Sequence, residues 1–167
     1  MALFEPLFDA LNRADVRYVV VGGVAVVLHG FARLTADVDL AIDLRPAEAT
    51  KAIEAFTRLG LRPRLPVDPM GFADPAVRAS WVRDKHMRVF TFLNPTNPML
   101  LVDCFAEDVL PFDELWARSE VMCLASTTVR VASIADLIAL KRRAARPQDQ
   151  QDIEALQDIL RRRRHHG

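Results

Sequence analysis

Apolar positions at helical spacing open the chain. Leu3, Leu7, Phe8 and Leu11 fall on one helix face, so the first dozen residues predict an amphipathic helix. Val16 to Val21 is largely β-branched over a strand's length, which suits burial on both faces. Gly22-Gly23 ends that run, and Val24 to Gly30 predicts a short helix closed by glycine. Val38 to Asp43 reads as a second strand. Pro46 then opens a helix over Ala47 to Leu59, with Gly60 as its stop.

Turn-forming residues take over from Leu61 to Pro75, where four prolines and a glycine predict loop. Ala76 to Asp84 reads as a short helix. Met87 to Leu93 and Met99 to Phe105 are apolar strands flanking Asn94-Pro95-Thr96-Asn97-Pro98, which predicts an antiparallel hairpin with a loop longer than two residues. Phe112 to Arg118 reads as helix and Thr128 to Val131 as a short last strand. Ser133 with Asp136 three residues on is a capping-box-like start for a helix through Ala144. Arg146-Pro147 interrupts, and Gln148 to Arg164 predicts a final helix with Ile153, Leu156, Ile159 and Leu160 facing inward. Intermixed strands and helices give an α+β (mixed α/β) class, a mixed β-sheet flanked by helices. A single domain over 1–167 is expected, with a core to about 131 and a C-terminal helical segment at about 133–164.

Composition narrows the function classes. A chain of 167 residues, 51% of them hydrophobic, can bury one core. Its formal net charge of zero argues against a general polyanion or membrane-surface binder. Basic residues cluster only locally, around Lys141 to Arg146 and over Arg161 to Arg164. Cys104 and Cys123 form no C-x-x-C pair and lie in apolar stretches, as buried reduced thiols do. The N-terminal segment carries Glu5 and Asp9 and no basic start, unlike a secretory signal. Tyr18 to Ala32 is too short and too interrupted to span a membrane. A cytoplasmic protein is expected.

Chemistry concentrates on a few polar residues inside apolar segments. Asp37 and Asp39 are one residue apart on a strand, so both carboxylates face one side, about 7 Å apart along the backbone. Such a pair repels beside an apolar sheet unless a cation compensates, and its oxygen ligands suit Mg²⁺, with Mn²⁺ as a substitute. The same D-x-D is otherwise the solvated side of a half-buried strand. Asp103, the only acid within LLVDCF, is the candidate third carboxylate. Asp43 sits by the turn before Pro46, where a turn role is expected.

Gly22-Gly23, between strand and helix, can receive a phosphate on backbone N–H groups or simply form a tight turn. It is neither a G-x-G-x-x-G fingerprint nor a P-loop. Arg33 and Thr35 precede the aspartates at alternating positions. Arg33 can meet a phosphate or pair with one of those aspartates. His29, in apolar company, is expected to be structural.

The order VGG at Val21 to Gly23, DVDL at Asp37 to Leu40 and VDC at Val102 to Cys104 resembles the DNA polymerase beta-like nucleotidyltransferases. RLTADVDL, with SIADLIALKRRAARPQDQQDIEAL far downstream, resembles their small bacterial members, including the AbiEii-type toxins of toxin–antitoxin and phage-defence systems. That resemblance implies Mg²⁺-dependent transfer of a nucleoside monophosphate from an NTP to a hydroxyl acceptor. Asp37, Asp39 and Asp103 would be catalytic and metal-binding, and Gly22, Gly23, Arg33, Thr35, Lys141 and Arg146 nucleotide-binding. Lys141 and Arg146 are otherwise a basic cluster complementing a helix end. A tRNA, a protein hydroxyl or a small molecule such as an aminoglycoside are the acceptors implied, with a cognate antitoxin as partner chain. Larger members add a helical domain for which this chain has little room. The alternative is a catalytically silent nucleotide- or partner-binding module of the same fold.

Overall fold

The computed structural model describes residues 1–165. Seven strands form one mixed sheet in the order β3-β4-β5-β2-β1-β7-β6. These are β1 (Tyr18–Val21), β2 (Asp37–Ile42), β3 (Arg62–Pro63), β4 (Val89–Asn94), β5 (Asn97–Phe105), β6 (Glu120–Cys123) and β7 (Thr128–Val131). β2 pairs antiparallel to β1 and parallel to β5, and β7 is parallel to β1. The helices are α1 (Glu5–Arg13), α2 (Gly22–Leu28), α3 (Pro46–Arg58), α4 (Pro75–Lys85), α5 (Phe112–Arg118), α6 (Ile134–Ala144) and α7 (Asp149–His165), with a 3₁₀ turn at Pro69–Phe72. This is the α+β fold that the sequence predicts.

The two faces of the sheet differ because side chains alternate. Val38, Leu40, Phe90, Phe92, Val102 and Cys104 point to one face and are buried. Phe56 of α3 packs on Phe92 at 4.9 Å between ring centroids, and Trp81 of α4 stacks on Phe90 at 4.8 Å. The other face carries Asp37, Asp39, Thr91, Leu101 and Asp103, all only half-buried. α2 covers the β1–β2 part of that side and packs on α6, which in turn packs on α7.

Several sequence expectations are corrected. α2 begins at Gly22 itself, with no intervening loop, so the diglycine forms the helix's first turn. The hairpin is tight: Asn94 pairs with Asn97, leaving only Pro95-Thr96 in the turn. The Asn94 side chain accepts from the Thr96 N–H at 2.9 Å and from its hydroxyl at 2.7 Å, closing the corner. The segment 61–75 includes β3 and the 3₁₀ turn. β6 was not anticipated; it is a short edge strand whose positions are half-buried or exposed. Cys104 is a buried free thiol as expected, whereas Cys123, on that edge, is exposed.

Candidate functional site

The sheet register assembles the acids. Parallel pairing of β2 with β5 sets Asp39 directly opposite Asp103, and Asp37 is two residues away on the same face. Asp37, Asp39 and Asp103 each offer a carboxylate oxygen, all within 4.8 Å of one another. Such crowding is electrostatically costly. Burial, then the charges of Asp37 and Asp103, push the Asp39 carboxyl up to about 7, against the opposing pull of Arg146 and the Gly23 N–H. Asp103 is also raised, chiefly by burial, while Thr91 and Arg64 pull it down. One oxygen of Asp103, Oδ1, is buried without a hydrogen-bond partner. An unpaired buried oxygen within an all-carboxylate cluster is a donor set that fits a hard divalent cation.

The diglycine makes room for this cluster. Gly22 has φ +65°, and a Cβ there would lie 1.8 Å from Asp39 Oδ2. A Cβ on Gly23 would lie 2.5 Å from Thr35 Oγ1 and 2.6 Å from an Arg33 guanidinium nitrogen. Thr35 donates to the Asp37 carbonyl at 3.3 Å. A Cβ at either position would displace these side chains, and at Gly22 the left-handed φ adds strain; the sequence alone leaves a phosphate or a tight turn open there.

The basic residues are bound into a buried network. Arg33 Nε lies 3.1 Å from Asp152 Oδ1, so it pairs with α7 and not with Asp37 or Asp39. Lys141 Nζ is 2.5 Å from Asp152 Oδ2 and 3.2 Å from Asp149 Oδ1. Arg146 Nε is 3.1 Å from the other Asp149 oxygen. Lys141 is 4% exposed and both acids 1%. Burial pushes the Asp149 carboxyl up, but the Arg146 N–H and guanidinium with the Lys141 ammonium outweigh it and hold it low.

A cavity of about 400 Å³ opens beside Asp39. Gly22, Lys141 and Arg146 line it with the charged Arg88, Glu107 and Asp108 and the apolar Val89, Phe105 and Leu140. Asp43 is separate: it accepts from Arg17 at 2.7 Å and from the Arg45 N–H at 3.1 Å, the turn role expected of it. His29 is buried against the Ala132 carbonyl at 2.8 Å, a structural position. Sequence reasoning missed Thr91 and Arg64, whose only signal was the register that aligns them with Asp103.

Comparisons with known proteins agree in kind. Residues 7–163 match the family model described as "Nucleotidyl transferase AbiEii toxin, Type IV TA system". Among solved structures, the fold is similar to lincosamide antibiotic adenylyltransferase LnuA with lincomycin bound, at 16% identity and TM-score 0.60, over 94% of this chain and 95% of that one. It is also similar to ANT(2")-Ia in complex with adenylyl-2"-tobramycin, at 16% identity and TM-score 0.62, over 95% and 88%. The solution structure of ANT(2'')-Ia gives 14% identity and TM-score 0.59, over 99% and 97%. At these identities the likeness is one of fold. No curated protein matches in sequence. By the match over nearly its whole length, the chain belongs to the AbiEii nucleotidyltransferase family.

Proposed function

We propose that this nucleotidyltransferase moves a nucleoside monophosphate from an NTP to a hydroxyl acceptor in a Mg²⁺-dependent reaction, as the toxin of a cytoplasmic toxin–antitoxin pair. The observation that carries the metal reading is the unpartnered Asp103 Oδ1 within 4.8 Å of the Asp37 and Asp39 oxygens. Those three residues would hold Mg²⁺, with Mn²⁺ as a substitute, and the ion would compensate charge on the phosphates.

The remaining roles belong to the chain's own groups. Gly22 and Gly23 leave the backbone open to the triphosphate. Arg33 and Thr35 stand beside Gly23, and Lys141 and Arg146 line the cavity that Gly22 also lines, so cations approach the diglycine from separate parts of the chain. The apolar cavity walls take the nucleoside. In the transfer, the acceptor oxygen bonds to the α-phosphorus, the bond from that phosphorus to the bridging oxygen breaks, and pyrophosphate leaves. The Asp103 carboxylate takes the hydroxyl proton. The sheet and the α6–α7 pair work as one unit, because Lys141 comes from α6 and Arg146 from the connection between α6 and α7. Among the described residues no helix is long and apolar enough to cross a membrane.

Incubation with labelled NTPs, Mg²⁺ and a panel of RNA, protein and small-molecule acceptors tests this. Label transfer with pyrophosphate release is expected. Folded protein that neither transfers nor binds NTP with Mg²⁺ would contradict it.

A further inference from the structure

On the nucleotidyl-transfer reading above, we propose that Arg62 and Arg64 are specificity-determining residues that select an acceptor carrying a phosphate beside its reacting hydroxyl. The sheet register carries this. Arg62 pairs with Leu93, and the Arg64 N–H donates to the Thr91 carbonyl at 2.9 Å, continuing the β3–β4 ladder. Thr91 is opposite Asp103, and Asp103 is opposite Asp39. Residues opposite one another share a face, so Arg64, Thr91, Asp103 and Asp39 form one row across four strands. Arg62, Leu93, Leu101 and Asp37 form the next row on that face.

This part of the face is open. Arg62 and Arg64 are exposed, and Thr91, Leu93 and Leu101 are half-buried, whereas the alternate positions Phe92 and Val102 are fully packed. The floor beyond Asp103 therefore continues from the acids as a surface with two arginines at one edge. Neither arginine has a carboxylate within ion-pair distance among the described residues. Asp68 and Asp74, the acids of the same segment, are turned to their own backbone, capping Met70 and Ala76 at 2.9 and 2.8 Å. Arg33, Lys141 and Arg146 lie on the Gly22 side of the acids, where the triphosphate is placed. That leaves the Arg64 side for the acceptor, whose hydroxyl would meet Asp103. Guanidinium groups there favour a phosphate and repel a polycation.

The test titrates the full chain, loaded with Mg²⁺ and a non-hydrolysable NTP analogue, with a ribotrinucleotide, with glycerol 3-phosphate and with tobramycin. At least one phosphate probe is expected to bind, and tobramycin not. Which phosphate probe binds assigns the source to a nucleic-acid end or to a small phosphorylated molecule. R62A/R64A should weaken that binding about tenfold or more. For the trinucleotide it should also flatten the salt dependence by about 0.7 per lost phosphate contact. Melting temperature should stay at the wild-type value, since both side chains are exposed, and R62A alone, which leaves the Arg64 charge on Asp103 in place, should keep the wild-type affinity for the NTP analogue. Binding of tobramycin, failure of both phosphate probes, or an R62A/R64A affinity equal to wild type would overturn the proposal. Failure of the NTP analogue itself to bind would instead bring down the nucleotidyl-transfer reading.

Discussion

At the scale of single residues, the site is defined by what cannot be changed. A methyl group on Gly22 would collide with Asp39 Oδ2, and at φ +65° any side chain is strained as well. Gly22→Ala is therefore expected to displace Asp39 and weaken Mg²⁺ binding about tenfold or more, read by titration calorimetry. Asp39 also sets a pH dependence. Its folded carboxyl is raised to about 7, above the unfolded value near 4, so the folded state holds its proton longer. Its stabilising contribution is full at low pH and is lost as pH rises through about 7. Without divalent cation, the melting temperature should fall from pH 5 to pH 8. Asp39→Asn should flatten that slope, and Mg²⁺ should offset the loss at pH 8; a flat wild-type profile would contradict the crowding. These acids were legible in the sequence because each stands alone among aliphatics. The partner of Arg33 was not, since nothing in local pattern points from the loop before β2 to Asp152 on α7.

Elements were legible where a local device fixes them. Ser133 caps α6 by accepting from the Asp136 N–H at 3.1 Å, as the spacing predicts. Ser133→Ala should cost about 1 kcal/mol in urea unfolding; no change would show that the cap is idle. The paired apolar runs of β4 and β5 also declared themselves. Their turn did not, because the Asn94 side chain closes a corner that a count of five turn-forming residues made look wide. β6 was illegible for a related reason. As an edge strand it half-buries Glu120 and Met122 and exposes Val121 and Cys123, so the apolar residues of EVMC do not follow its buried side.

At the scale of the molecule, α6 and α7 are tied to the diglycine by charge. Asp152 bridges Arg33 and Lys141 while buried, so Asp152→Asn leaves buried cations short of a counterion. About 3–5 kcal/mol of lost stability is expected by urea denaturation. A loss under 1 kcal/mol would show that the helical pair is held by apolar packing alone. The resemblance implies a further helical domain in larger members, for which this chain has little room. The likeness of fold runs over 95% of LnuA and 97% of the ANT(2'')-Ia solution structure. What joins these scales is the cation-dependent nucleotide site proposed at Asp37, Asp39 and Asp103. The most direct test is calorimetric titration of the protein with NTPs, with and without Mg²⁺, beside Asp103→Asn. The account predicts binding that requires Mg²⁺ and weakens about tenfold or more in the variant while its fold persists. NTP binding indifferent both to Mg²⁺ and to Asp103 would contradict it.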